Sequence, residues 1–594
     1  MGILSSFVAE ARRRRVFRTG GLYIFGVWAL LQVADLALES LGMSGELLRY
    51  FWYAGFAGFP IALIFGWYYE ITSDGIRKTL PADSFSGEAL PMGVPDYIII
   101  CALAVVVAIG AAGLFDQARQ DEKLVGPYDP MGVAVLPLED LSGVEGQEYF
   151  SAGIHDALIT NLSKIKGLHV VSRRSAIRLD RALPTQVIGE TLGVRNIIEG
   201  SVTREGNRVR VIVQLIDAAN DAHIWADNFE REFDSMLALQ NDIAKSVASA
   251  LNVQLGDDDV ARLGGDERVD PQTYDDYLRG MYLLNQPDNR VRRRGISILE
   301  RVVGDGRADA RIYAALAYGY AGLGHSPFPE DMYPASRKAA ERAMELDDSI
   351  AEVHLALGMH SLYYEWDFVA AERSLLRAIE LNPGLLGAHY HYAWLMELLR
   401  RSNLSLPAGD ITVDIDPLSA KLRGDLAWQY ANARQYERAL VIASEALEID
   451  PQHGRAKAVK ALTLGNLGLF DAAISTAAEI PEQSGNHFVY PVLLAASGRS
   501  EEARDVLATI EPIPRNVIIL ASSYGALEDV DDAFYWLGVA KDVKHPWYPW
   551  FITNFHFMDA VRNDPRMDEL AAELGLSEAL ERARKNSTVG LSAT

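Results

Sequence analysis

The chain is poor in cysteine: Cys101 stands alone in 594 residues. That excludes an intrachain disulfide framework, a multi-cysteine zinc site and a cysteine-ligated iron–sulfur cluster. Basic residues are also in deficit, with 56 Lys and Arg against 80 Asp and Glu and a net charge of −24. A phosphate backbone demands clustered cations, so nucleic acid is not an expected partner. Whole motifs are missing too. The sequence holds no G-x-x-x-x-G-K, G-x-G-x-x-G, H-E-x-x-H or G-x-S-x-G string and no EF-hand loop. Phosphate loops, zincin sites and nucleophile elbows therefore have no support, and neither catalytic residues, cofactor nor metal is expected.

What is present is unevenly spread. Three apolar runs, 20–38, 47–69 and 97–115, crowd the first 115 residues, and each approaches the ~20 residues that span a bilayer. The first carries Gln32 and Asp35, the second Pro60 with aromatic edges at Phe51-Trp52-Tyr53 and Trp67-Tyr68-Tyr69, and the third no charge between Ile98 and Ala111. Arg12, Arg13, Arg14, Arg15 and Arg18 precede the first run, against Arg49 alone in the loop after it. By the positive-inside rule these arginines anchor a cytoplasmic N-terminus, and an odd number of spans places everything after Phe115 outside. Arg14-Arg15-Val16-Phe17 also resembles a twin-arginine export signal, but no A-x-A-type cleavage site follows. The expectation is a multi-pass bacterial inner-membrane protein. It has a basic tail at 1–19, a three-span anchor in the lipid bilayer at 20–116, a linker at 117–130 and its remaining domains in the periplasm.

The pattern then changes to that of a small mixed-sheet α/β domain over 131–252. Val133-Ala134-Val135-Leu136 is a short apolar run suited to a strand covered on both faces. Phe150, Ile154, Leu158, Leu162 and Ile165 follow at helical spacing, and His169-Val170-Val171 returns as a strand. A short helix over 184–192 leads to strands over 194–203, 208–216 and 222–231, with Gly206-Asn207 as a turn and a closing helix over 235–251. Alternation of Val209, Val211, Val213 and Leu215 marks one face of the middle strand.

The stretches Val135-Leu136-Pro137-Leu138-Glu139-Asp140-Leu141-Ser142-Gly143, Gln147-Glu148-Tyr149-Phe150, Ile198-Glu199-Gly200-Ser201-Val202, Gln214-Leu215-Ile216-Asp217-Ala218 and His223-Ile224-Trp225-Ala226 together resemble the TolB amino-terminal-like, or FlgO-like, domain. The resemblance implies a periplasmic module without established catalysis. Relatives of this architecture place a cyclase or a winged-helix DNA-binding domain ahead of the spans. The residues before Gly20 are expected to be too few for either.

After a Gly- and Asp-rich stretch over 253–270, expected to be a flexible linker, helix endings recur. Leu346-Asp347-Asp348, Leu381-Asn382-Pro383, Ile415-Asp416-Pro417 and Ile449-Asp450-Pro451 lie 35, 34 and 34 residues apart. That period marks tetratricopeptide repeats, so 271–580 is expected to be an all-α solenoid ending in a cap, followed by a disordered tail at 581–594. Pro407 and Gly409 disfavour a helix interior, and 402–414 is expected to be shortened or irregular.

Candidate sites are few. In the repeat type this array resembles, positions two, five, nine and twelve of each first helix face the concave groove. Met359, Trp394, Trp428 and Leu462 occupy the ninth positions, with Tyr390 beside Trp394, and together they form a strip suited to an apolar or helical partner segment. The competing reading buries both tryptophans between helices. His354, His389 and His391 are read as packing residues, because neighbours two apart diverge on a helix. Asp257-Asp258-Asp259 is read as solvated linker rather than a calcium site, and His155, Arg173 and Arg174 mark a minor candidate for a small ligand. The function expected is a scaffold that binds other envelope proteins through the repeat groove, its oligomeric state open. A membrane sensor acting on a separate cytoplasmic signalling protein is the alternative, and an enzyme the third.

Overall fold

The computed structural model describes residues 128–589, apart from 144–147, 181, 266, 325–331, 482–484 and 555, together with scattered positions between 16 and 78. It divides into two units, 1–125 and 126–594. In the first, strand β1 (Tyr69–Thr72) pairs antiparallel with β2 (Gly75–Lys78), Tyr69 opposite Lys78. Most of the three expected spans, the third entirely, and the anchoring Arg12, Arg13, Arg14, Arg15 and Arg18 lie outside the described residues. Among the described residues no helix is long and apolar enough to cross a membrane.

The second unit opens with a small mixed sheet, whose strands are β3 (Asp129–Val135), β4 (Glu139–Asp140), β5 (His169–Val170), β6 (Val194–Glu205), β7 (Arg208–Asp217) and β8 (Ala222–Glu232). Their order is β5-β3-β6-β7-β8, with β4 also on β6. β3 is parallel to β5 and β6, while β6, β7 and β8 form an antiparallel meander. Central position explains the apolar run of β3, since Val133, Ala134 and Val135 are wholly buried between layers. On one face, helices Glu148–Ser163 and Met236–Ala250 bury Phe150, Ile154, Leu158, Leu239 and Ile243 against Val209, Val211, Val213 and Leu215. Each such side chain contributes about 1.5–3 kcal/mol by leaving water. On the other face Ile188 and Leu192 of helix Thr185–Leu192 pack on Ile197 and Ala218.

The expected linker contains a helix, Asp257–Leu263. Asp259 is buried beneath it, accepting from the backbone N–H groups of Lys166 and Gly256 at 2.9 Å each and from Arg262. Three consecutive aspartates read as a solvated run, but at a helix start their charge complements the exposed N–H groups. One of them also became the bond to the neighbouring domain.

The remainder is an array of helical hairpins. First helices Ala351–His360, Leu386–Leu398, Ala420–Asn432 and Gly454–Asn466 alternate with second helices Phe368–Leu381, Ser402–Ile415, Tyr436–Ile449 and Phe470–Ala478. Each hairpin turn uses one left-handed residue, Trp366, Arg400, Arg434 and Gly468 at φ of 59°, 55°, 60° and 76°. The N–H after each returns to the end of the first helix, Arg401 to Met396 O at 2.8 Å, Gln435 to Tyr430 O at 2.9 Å and Leu469 to Leu464 O at 3.0 Å. This is the Schellman closure that glycine usually serves. Only Gly468 meets it without a side-chain penalty, so the turn repeat is hidden from a search for glycine.

Residues 402–414, expected to be irregular, lie within the full helix Ser402–Ile415 with Pro407 inside it. Tertiary packing outweighs the local preference: Leu406, Ala408, Thr412 and Val413 are buried against neighbouring helices. Gly409 has a steric reason. A Cβ there would stand 2.6 Å from Gln429 Oε1 and 2.8 Å from Leu426 Cδ1. Gly409→Ala is therefore expected to destabilise the array by about 1–3 kcal/mol, despite alanine's better helix propensity. Urea denaturation followed by circular dichroism checks this, and a stabilised variant would refute the close-approach argument.

The α/β domain is docked on the array. Ser172 N donates to Ile415 O at 2.7 Å, Ser175 Oγ to the buried Asp416 at 2.5 Å, and Gly384 N to Ser163 O at 3.0 Å. The helix end Ile415-Asp416-Pro417, one of the four that set the repeat period, is thus also an interdomain contact.

Candidate binding face of the repeat array

The strip expected from repeat register does form on the first helices, but it is covered. Met359, Trp394, Trp428 and Leu462 are buried, and Tyr390 is half-buried. The cover is the chain's own C-terminal segment around helix Tyr548–Thr553. Trp547 stands edge-on to Trp394 with ring centres 5.1 Å apart, Trp550 stacks on Tyr363 at 5.8 Å, and His556 meets Trp428 at 5.9 Å. Groove and buried core were the two expectations for the tryptophans; in the structure both are buried, against an internal segment of the same chain.

Glu397 is the polar centre of this contact. It is buried and accepts from Trp550 Nε1 at 2.9 Å, from Asn554 Nδ2 at 3.0 Å and from Asn432. Arg400, held in its left-handed turn, donates to Asn554 Oδ1 at 2.6 Å and to Asn432 O at 2.9 Å. Thr553 Oγ1 donates to Leu398 O at 3.0 Å. Burial pushes the Glu397 carboxyl up to about 7, against the opposing pull of Arg400, Asn432 and Trp550. Burial also drives His545 down to about 4 and His556 to about 3, the latter helped by Arg400, Arg562 and Arg434, so both imidazoles are neutral.

A second cluster is centred on Asp425 of the next first helix and reaches back to Tyr390. Asp425 receives Lys421 Nζ at 2.8 Å and the Tyr390 hydroxyl at 3.0 Å, with Arg455 Nε at 3.5 Å. Burial alone would raise this carboxyl; Lys421 and Arg455 hold it below the ordinary value. Sequence reasoning passed over Glu397, Lys421 and Arg455. Their signal was register: Glu397 stands at position twelve, where the other first helices carry Leu362, Ala431 and Gly465. Lys421 and Arg455 are consecutive position-two residues.

The other candidates serve the fold. His354 Nε2 bonds to Asp348 O and His389 Nε2 to Pro383 O, each at 2.8 Å and each six residues back, so they close equivalent turns. His391 Nδ1 meets the Tyr363 hydroxyl at 2.9 Å. In the α/β domain His155 Nε2 lies 2.7 Å from Val135 O, while Arg173 pairs with Asp156 at 3.2 Å. Arg174 is exposed.

Residues 131–246 match the model of the HilA/YgeH-like transcriptional regulator, second domain. The chain is 30% identical over 254 residues, 41% of its length, to the "Putative adenylate cyclase 3" of Rhizobium meliloti (strain 1021). It spans 43% of that relative, less than half. Similar solved structures include "MamA MSR-1 C2", at 18% identity over 31% of this chain and 98% of that one, with a TM-score of 0.23. A chain of "Crystal structure of APC/C hetero-tetramer Cut9-Hcn1" matches at 13% identity over 50% of this chain and 62% of that one, with a TM-score of 0.29. Scores this low carry no inference about shape or partner. The domain match corrects the FlgO-like and TolB-like attribution and, with it, the scaffold reading that rests on it.

Proposed function

We propose that the chain is the input part of a signalling system, a membrane sensor that couples a ligand or protein partner to a separate cytoplasmic signalling protein. The observation that carries this reading is similarity to a transcriptional regulator domain family and to a protein named a putative adenylate cyclase. The hydrogen-bonded junction at Ile415 and Asp416 supports it, since a change in the array has a direct route to the α/β domain. Protein partners are proposed to meet the repeat array. The chain itself is not proposed to catalyse, because no phosphate- or metal-binding motif is present in its sequence.

The discriminating experiment exchanges residues 20–116 for an unrelated three-span anchor and follows cellular cyclic AMP and transcript levels. A sensor loses its response to the exchange, whereas a response that persists unchanged would remove the coupling role. Purified full-length chain is expected to form no cyclic AMP from ATP; turnover that disappears with a point mutation in this chain would make it an enzyme.

Location is part of the same proposal: a bacterial inner membrane, N-terminus cytoplasmic and Thr594 outside, on the strength of the five-arginine start and three apolar runs. A reporter active only outside the cytoplasm is expected to work when fused after Thr594. Activity only from a fusion in the Arg77 loop would invert the topology.

A further inference from the structure

Inside the array, between the first helices and the C-terminal segment, lies a cavity of about 1130 Å³. That is slightly above the usual ~300–1,000 Å³ of small-molecule sites. Trp394, Trp428, Trp547 and Trp550 stand in its wall with Arg455 and His487. Trp547 is half-buried and backed by Trp394, Trp428 and Trp550 at 1%, 5% and 2% exposure, an aromatic wall that favours a planar ring over a branched aliphatic chain.

Among the described lining residues the one Lys or Arg is Arg455. Arg455 lies over Trp428, its guanidinium carbon 4.8 Å from the ring centre, and its side chain is 24% exposed. Among the described residues its one ion pair is the 3.5 Å contact of Nε with Asp425. Asp425 is already engaged by Lys421 at 2.8 Å, so two cations share one carboxylate. The single carboxylate among the described lining residues, Glu511, is exposed. A guanidinium fork backed by an aromatic face is the arrangement that receives carboxylate or phosphate oxygens. Two wall residues also carry buried ring nitrogens without a hydrogen bond, Trp394 Nε1 and His487 Nδ1. Such orphaned groups are rare unless something supplies a partner.

We propose that this cavity binds a planar organic anion, an aromatic or heteroaromatic ring bearing a carboxylate or phosphate, with the ring among the tryptophans and the charge on Arg455. This deepens the sensor reading by naming its ligand class. Binding is measured by itself, so a cavity that takes nothing leaves the anchor-exchange result standing, and the reverse also holds.

The test titrates purified full-length chain in nonionic micelles with 2-naphthoate, 2-naphthyl phosphate and the neutral 2-naphthamide by calorimetry, with empty micelles as the blank. At least one anion is expected to bind saturably, one per chain, at least tenfold more tightly than the amide. The better of the two identifies the acidic group. Arg455→Met is expected to bring the anions down to the amide's level, and Arg455→Lys to restore part of the difference. Should Arg455→Met fail to fold, the wild-type chain still decides: anion affinity is expected to fall at least threefold between 50 and 500 mM salt, with the amide unmoved. Equal binding of amide and anions, no saturable heat at millimolar probe, or an unaffected Arg455→Met would each overturn the proposal.

Discussion

Trp550→Ala is expected to release the C-terminal segment from the inner face of the array. Trp550 is 2% exposed, packs against Tyr363, Trp394 and Trp547, and donates its indole N–H to Glu397. Truncating a buried tryptophan costs ~3–5 kcal/mol, and leaving one lone pair of a buried carboxylate without its donor adds ~1 kcal/mol or more. A helix of six residues has little stability of its own, so a loss of this size should open the segment before the array itself unfolds. Hydrogen exchange should accelerate at 548–554, and 1-anilinonaphthalene-8-sulfonate fluorescence should rise as Trp394 and Trp428 meet solvent. Trp550→Phe, which keeps most of the packing, should fall between the two. Unchanged exchange in Trp550→Ala would mean that the segment is held elsewhere and that the inner face is simply core.

Glu397→Gln is expected to make the chain more sensitive to acid, through opposing titrations in one contact. A carboxyl raised to about 7 in the fold contributes stability that is fully present below the ordinary value near 4.5 and lost as pH rises through 7. Glu397 is already half protonated at pH 7, so between pH 7 and 5 acid adds ~2 kcal/mol through it, the full slope being ~1.4 kcal/mol per pH unit. His545 and His556 work the other way, because a lowered imidazole pKa gives stability present above ~6.5 and lost as pH falls. Two histidines remove ~4 kcal/mol over the same interval. In the wild type these three groups partly offset one another, leaving ~2 kcal/mol of loss. The variant loses the Glu397 term: its glutamine oxygen can accept from Trp550 and Asn554, and a turned Asn432 amide can accept from its N–H. Its stability should then fall by ~2 kcal/mol more than the wild type's from pH 7 to 5. Asp156, raised to about 6 in the α/β domain, is common to both proteins and drops out of the difference. Urea midpoints at several pH values measure it, and parallel curves for the two proteins would show that Glu397 does not titrate in this range.

Much of the architecture was legible because periodic patterns report on one element at a time. Val209, Val211, Val213 and Leu215 alternate because a strand has two faces, and the helix endings from Leu346 to Ile449 recur because each repeat packs on the last. Of the residues at the ninth positions, Trp394 and Trp428 meet the C-terminal segment, and Met359 and Leu462 are buried. Local preference failed where neighbours overruled it. Pro407 and Gly409 read as helix breakers, yet Gly409 is the small residue that lets two helices approach, and the Asp257 run became a docked helix through Asp259.

Composition, periodicity and register therefore determined the α/β segment, the repeat array and the face of each first helix that turns inward. All are consequences of spacing within about 35 residues. Only the tertiary structure decided that this face is filled. Trp547, Trp550 and Asn554 come from 150 or more residues beyond Trp394, Glu397 and Arg400, and no short-range pattern links such distant positions. Whether a tryptophan is a binding surface or a covered one depends on where the chain returns, which is fixed by the curvature of the stacked repeats as a whole.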